Sequence, residues 1–399
     1  MTEIEEDIEY IEEEIADLLL SVRRLRIDCD NLRHETAKIQ KRLSSYKYPV
    51  LTLPTEIISE IFNHFLPVYP ICPPLAGKFS PTQLTHICRQ LREIALSTPI
   101  LWRAISIPYR RGKSWDVGSV EIWLQRSGSC PLSLHMEKPL SPMWSAKEAL
   151  STIVPHRARW EYLSLRLRDL SKDFLQIVGP MPLLRDMKVN GDYSRNPPSL
   201  PIAFYDAPRL RSLTFENFTS LMIVFPWSRL TSLNLVGIGF APAHCTAFLQ
   251  QTVNLVHCKL VLSEAFDDTI YMPPDTRLPH LESLQLVQWF EEEPAATGYL
   301  STFIVPALLR LQVPDEHLQP DPISVLSTFI AKAGCKLQEV RITGERSVRR
   351  SVYRGAFPSI PRFLFNKRFL SEYCETSSNE YDNEDDPDWI LSSDEEDLE

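Results

Sequence analysis

The chain has 399 residues, 44 % of them hydrophobic, enough to bury a large core and, as a prior, to build two or three structural units. Its formal charge is −10, but residues 371–399 hold thirteen acidic side chains and no Lys or Arg, leaving 42 basic against 39 acidic residues in a nearly balanced body. That balance, with no Lys/Arg block, argues against a nucleic-acid footprint, and 12 glycines, about 3 % against a usual ~7 %, argue against Gly-rich phosphate cradles.

The sequence opens MTEIEEDIEYIEEE, which lacks the positive charge and apolar run of a signal peptide. No stretch approaches the ~20 apolar residues of a membrane span. The eight cysteines stand singly, without a CxxC, so no disulfide framework is expected. These features predict a reduced protein of the cytoplasm or nucleus, without a membrane or nucleic-acid partner.

Residues 4–43 carry the clearest periodicity. Ile4, Ile8, Ile11, Ile15, Leu18, Val22, Leu25, Cys29, Leu32, Thr36, Ile39 and Leu43 alternate steps of four and three, a heptad seam with only Thr36 plainly polar. Six heptads span roughly 60 Å at 1.5 Å per residue. The outer faces are acidic before residue 15 and basic between Arg23 and Arg42. A helix with such a stripe needs a partner. Either it packs back on its own protein, or residues 4–43 form a homo-oligomeric coiled coil. Pro49 ends the helix, because Tyr48 before it is biased away from helical angles.

Residues 50–109 read as a small helical module. Pro54 is placed to open a helix with Ile57, Ile58, Ile61, Phe62 and Phe65 on one face. Pro67, Pro70, Pro73, Pro74 and Pro81 make a stiff loop. A second helix carries Leu84, Ile87, Cys88, Leu91 and Ile94, and Thr98 with Pro99 caps a third carrying Leu101 and Trp102.

The segments Leu53-Pro54-Thr55-Glu56-Ile57, Cys88-Arg89-Gln90-Leu91-Arg92 and Leu101-Trp102 occur in this order over about 50 residues. They resemble the F-box, whose pattern runs Leu-Pro-x-Glu-Ile, an apolar helix, Cys-Arg-x-x-Arg, then Leu-Trp. The loop Pro67–Pro81 is longer than that family's, and Leu91 stands near a position where it often has an aromatic. With the N-terminal heptads, the chain resembles the expanded F-box families of mushroom-forming fungi. The resemblance implies docking on a Skp-family adaptor, and through it on a cullin–RING core. The ligation chemistry belongs to those other subunits, so the chain itself is expected to be no enzyme. The docking residues are expected among Leu53, Pro54, Ile57, Ile58, Ile61, Leu84, Cys88, Leu91 and Trp102. A lone three-helix unit cannot cover all of these, so some should form an exposed patch.

From residue 160 a pattern of apolar-x-x-apolar-x-apolar recurs, as Trp160/Leu163/Leu165, Leu210/Leu213/Phe215, Leu281/Leu284/Leu286 and Leu337/Val340/Ile342 among eight occurrences 20 to 29 residues apart. That period and spacing are the leucine-rich-repeat signature. The family's Asn or Cys after the last Leu is replaced by Phe218, Ile238, Ser263 and Trp289, which predicts an irregular solenoid. Residues between the inward positions should face out and meet a protein target: Lys188, Ser212, Thr214, Asn234, Lys259, Gln285, Gln312 and Arg341.

The expected fold is thus α+β in several units. They are a coiled-coil helix (1–47), an F-box-like module (50–109), a linker or N-terminal cap (110–159), a leucine-rich-repeat-like solenoid (160–370) and a disordered acidic tail (371–399). In the tail, Trp389-Ile390-Leu391 precedes Ser392 and Ser393, each with a Glu three residues on, a pattern acidophilic kinases read; the tail is a docking motif, an inert solubilising segment, or a strap folded back on the basic stretch Arg341–Arg354.

Catalytic and cofactor motifs are missing. Gly112-Lys113-Ser114 lacks the opening Gly of a phosphate loop, since Ile107 stands there. His244/Cys245 and His257/Cys258 could suggest zinc, but Cys258 takes a core repeat position and His257 the opposite face, so no metal or cofactor is expected. The function this sequence points to is the substrate-recognition subunit of an SCF-type ubiquitin ligase. The alternative is a coiled-coil scaffold not coupled to ubiquitin transfer.

Overall fold

A computed structural model describes residues 2–45, 49–108, 117–137, 146–167, 177, 179–191, 202–203, 206–216, 223–236, 242–262, 273–288 and 297–366. The acidic tail, the Gly112-Lys113-Ser114 segment and the turn positions Phe218, Ile238, Ser263 and Trp289 lie outside the described residues, as do the side chains of Ile4 and Ile11. The fold mixes helices and strands, with a long N-terminal helix and one large parallel sheet. No helix among the described residues is long and apolar enough to cross a membrane.

Helix α1, Thr2–Ser45, follows the heptad pattern. Among its described side chains, Ile8, Tyr10 and all of 12–43 are exposed. The seam is therefore not packed on the rest of this chain.

The helical module follows. Helix α2 is Thr55–Phe65, with Pro54 at the N-cap, where its carbonyl accepts from the amides of Ile57 and Ile58. It buries Ile58 and Phe62 and leaves Ile57 and Ile61 outside. The predicted second helix is two pieces, α3 (Pro81–Leu84) and α4 (Arg89–Leu96). The reason is local: the Thr85 hydroxyl and amide both bond back to the Thr82 carbonyl, and Cys88 is extended at the N-cap of α4. Pro99–Trp102 is a single 3₁₀ turn. Thr98 precedes it but does not cap it, because its hydroxyl donates to the Ile94 carbonyl instead, at 2.6 Å.

Eleven parallel strands make the sheet, and their spatial order is their chain order. They are β1 (Ala104–Ile107), β2 (Leu132–Met136), β3 (Trp160–Leu167), β4 (Asp186–Gly191), β5 (Ser212–Glu216), β6 (Ser232–Val236), β7 (His257–Leu262), β8 (Ser283–Gln288), β9 (Arg310–Pro314), β10 (Glu339–Thr343) and β11 (Arg362–Asn366). Parallel neighbours need a crossover, and the 20- to 29-residue period supplies one each time. Helices α5 (Val117–Arg126), α6 (Lys147–Ile153), α7 (Pro242–Leu249), α8 (Pro322–Ala333) and α9 (Arg350–Ala356) lie in these crossovers. α8 has both expected caps: Asp321 accepts from the Ser324 amide, and Gly334, at φ +67°, closes its C-terminus.

Register explains the repeat. Leu163 pairs with Met187, then Leu213, Leu233 and Cys258 in turn, and the row continues through Leu284, Leu311 and Val340 to Phe363. A second inward row runs through Leu165, Val189, Phe215, Leu235 and Leu260. Both are buried along most of their length. The ladder extends past both ends of the recognised pattern. The segment read as a linker contributes α5, β2 and α6, and the closing segment contributes α9 and β11. The last residues of the helical module are themselves β1.

Module and sheet consequently share one core, continuous from Ile58 to Phe363. Trp102 is the joint. Fully buried, it donates from Nε1 to the Ala95 carbonyl at 2.9 Å, meets Trp123 of α5 edge-on at 5.2 Å, and carries the Arg126 guanidinium over its ring. At the other end, buried Asp315 accepts from the Tyr353 hydroxyl and from the amide and hydroxyl of Ser347, tying the last crossover to β9. Beside it His317 is buried with both ring nitrogens unpaired among the described residues, and burial pushes its pKa down to about 4.

Two outcomes follow from these joints. Trp102→Ala should lower the unfolding free energy by about 3–5 kcal/mol, read by denaturant titration, because it empties a packed site and removes the Nε1 bond to the Ala95 carbonyl. His317 is held neutral, so its contribution is present above its unfolded value of 6.5 and is lost as pH falls toward 4. From pH 7 to pH 5 this loss amounts to about 2 kcal/mol. His317→Gln should remove that part of the slope; an unchanged stability–pH profile would assign it to other groups.

Candidate functional site

The predicted docking residues divide by burial. Ile58 points into the module with Leu84, Leu91 and Trp102, all buried, and Cys88 is half-buried against them. Pro54 is exposed, and Leu53, Ile57 and Ile61 keep 39 %, 49 % and 48 % of their surface in water. The spacing 53/54, 57, 61 puts them on one side of α2. The start of α4 lies alongside, because the Gln90 side chain donates to the Leu51 carbonyl, and Ile87 next to it is also exposed. The structure thus keeps half of the set as core and assembles the other half into an outward apolar face.

That face belongs to a wider asymmetry. Among the described residues, the large exposed hydrophobics number twelve in α1 and nine between Val50 and Ile100, but only three beyond, at Ile122, Val253 and Val352. Among the described residues, apolar surface able to drive association is therefore concentrated in the first hundred residues.

The outer face of the sheet is polar. Lys188, Thr214, Asn234, Lys259, Gln285, Gln312 and Arg341 pair one to the next across β4 to β10, forming one continuous row. Seven strands at ~4.8 Å spacing make this row about 29 Å long. Ser212 stands one row over, between Asp186 and Ser232. Some side chains on the face meet one another: Lys188 Nζ is 2.7 Å from Glu216, Asn190 donates to the same carboxylate, and Asn234 donates to Thr214. Burial holds the Asp186 carboxyl above its ordinary value, opposed by the Ser212 hydroxyl and by Lys188.

Sequence reasoning missed the role of the Pro-rich loop. It folds over the outer face at β2 and β3 and covers it. The Tyr69 hydroxyl donates to Glu161 at 2.9 Å, its ring meets Tyr162 edge-on at 5.4 Å, and the Arg103 guanidinium lies 3.8 Å from the ring centre. Ser133 donates to the Pro70 carbonyl at 2.6 Å and is buried there. Burial raises the Tyr69 hydroxyl pKa, reinforced by the bond to Glu161, and pushes the Cys72 thiol up to about 11. The open part of the polar face therefore starts at β4. The signal in the sequence was the loop's extra length, which has no periodicity to say where it packs.

Cys258 faces the core and His257 the outer surface, and Cys245 is buried with Cys258. Among the described residues no three His, Cys, Asp or Glu side chains converge on a point that could hold a metal ion. A scan of the chain against protein-family models finds no match, and no curated protein matches it.

If Tyr69 pins the loop, Tyr69→Ala should release it. Trypsin cleavage after exposed Lys78 should then accelerate at least several-fold while the rest of the chain keeps its protection. Equal cleavage rates in the two proteins would show that other contacts hold the loop.

Proposed function

We propose that the chain is an F-box-type substrate receptor. It docks a Skp-family adaptor through the outward face of α2 and presents a protein target on the outer face of irregular leucine-rich repeats. The observation that carries this reading is the division within the motif residues. Ile58, Leu84, Leu91 and Trp102 fix the module on the sheet, and Leu53, Pro54, Ile57 and Ile61 are left on one exposed side of the same helix. The repeat reading is supported by one parallel strand per period, in chain order, with the inward positions in register. In this picture the chain performs no chemistry. It raises the local concentration of a target at a ligase core, and the gain in transfer rate is the gain in effective concentration.

The second reading, a scaffold uncoupled from ubiquitin transfer, is favoured by the exposed stripe of α1. Co-purification with a Skp-family adaptor separates the two. The surface test is Ile57→Glu with Ile61→Glu. Each Ile side chain contributes about 1.5–3 kcal/mol when buried, so the pair should weaken adaptor binding on the order of 100-fold or more. Both residues are exposed, so the circular dichroism spectrum and unfolding midpoint should hold. Ile58→Glu would be no substitute, because Ile58 is core. Adaptor capture that survives the double change, or that never occurs with the unaltered chain, removes the receptor reading.

A further inference from the structure

The charge pattern of α1 says how its uncovered stripe is met. We propose that two copies of this chain pair through α1 as an antiparallel two-stranded coiled coil, running from residue 4 opposite 43 to residue 43 opposite 4.

Charge is unevenly distributed along α1. Residues 2–22 contain nine acidic residues and no basic ones, whereas residues 23–45 contain seven Lys or Arg against three acidic residues. A parallel, in-register pair lays the acidic half on the acidic half, roughly one helix diameter apart and within a Debye length of ~8 Å at the flanking positions. The antiparallel pair lays it on the basic half.

The seam is compatible with the same orientation. With residue 4 opposite 43, every seam position meets another: 8 with 39, 11 with 36, 15 with 32, 18 with 29 and 22 with 25. Both orientations fill the seam equally, so the flanking positions decide between them. In the antiparallel pair, Glu12 falls beside Arg33 and Asp7 beside Arg42, each twice, and Glu14 beside Glu35 is the like-charged exception. In the parallel pair, Asp7 falls beside Glu12 and Asp28 beside Arg33, so attraction and repulsion cancel. The same flanking charges limit the assembly to two helices, since a larger bundle would bury them.

The surface is free for this. Every described side chain from residue 12 to 43 is exposed, including Glu12, Leu18, Cys29 and Arg33. The assembly would carry the two sheet bodies at opposite ends of a rod about 60 Å long. It does not rest on adaptor docking, which involves α2, so either proposal can fail without the other.

Cys29 makes the orientation measurable. In a parallel pair it faces its own copy. In the antiparallel pair it faces Leu18, and the two Cys29 residues sit about 16 Å apart along the axis, beyond the ~7 Å a disulfide allows. The full chain is oxidised with glutathione disulfide at micromolar concentration and the linked peptides are mapped. The unaltered chain should give no Cys29–Cys29 link, whereas Leu18→Cys should give a covalent dimer joining positions 18 and 29. Sedimentation supplies the charge test. Glu12→Arg should raise the dimer dissociation constant about tenfold, and adding Arg33→Glu should restore it. In a parallel pair Glu12→Arg would instead tighten association, by replacing the contact with Asp7. Rising salt should weaken the dimer, whereas a parallel pair, its flanking attraction and repulsion cancelling, would change little. A Cys29–Cys29 link, no link in Leu18→Cys, tightening by Glu12→Arg, or a monomer at micromolar concentration would each overturn the proposal.

Discussion

A five-residue strand with two apolar side chains on one face cannot cover them alone, and it presents unpaired amides along both edges. In this chain each such strand is covered by the next, laid parallel and in register, so that Leu163, Met187 and Leu213 become one wall of a shared core. Everything else is placed by that constraint. The crossovers must return the chain to the same edge, so they lie on the inward side and close the core with Trp123, Phe248, Phe303 and Phe329. The outer side is left to polar residues. The two ends of the ladder need their own closures, and the chain supplies a different one at each.

At the start, the closure is the helical module. Because Leu101, Trp102 and Ile105 bury in the same core as the strands, α2 cannot turn relative to the sheet without emptying the Trp102 site. The Pro-rich loop adds a second fixing point through Tyr69, Pro70 and Glu161. At the end, α9 and β11 stack Tyr353, Phe357, Phe363 and Phe365, with Arg346 and Arg350 over the last ring. On the proposed reading this rigidity matters. A receptor gains effective concentration only if the adaptor face and the target face hold a fixed relation, and a loose joint would spread the bound target over a larger volume.

The sequence made the ladder legible because its signal is periodic: Leu210, Leu213 and Phe215 repeat at Leu230, Leu233 and Leu235, and register alone carries one onto the other. The outer row was legible for the same reason, since a residue between two inward positions has only one face left. Three things were not legible. Ile105 and Leu134 sit on the same ladder as Leu163, but their surrounding sequences read as module and cap, so the sheet's first edge was drawn inside its true limit. Within α2, adjacent Ile57 and Ile58 are both apolar, and only the position of α4 and the Trp102 turn decides that Ile58 is the one covered. The loop's path over Ser133 and Tyr162 depends on hydrogen bonds between residues some sixty to ninety positions apart, which no local pattern encodes.

The uncovered surfaces differ in kind, and the difference orders them. Apolar exposure, as on α1 and α2, costs free energy as long as it persists and is relieved only by a partner that buries it, which is the chemistry of lasting interfaces. The outer row from Lys188 to Arg341 costs nothing to leave in water, because its side chains are hydrated or paired with one another. A partner there must displace water and break contacts such as Lys188 with Glu216, so binding is governed by complementarity and not by burial alone. On the proposed reading, a chain built this way would hold its apolar partners steadily and exchange whatever meets the polar face. On the same reading that is the division of labour a substrate receptor requires, and it follows from where the exposed leucines and isoleucines are among the described residues: mostly in the first hundred.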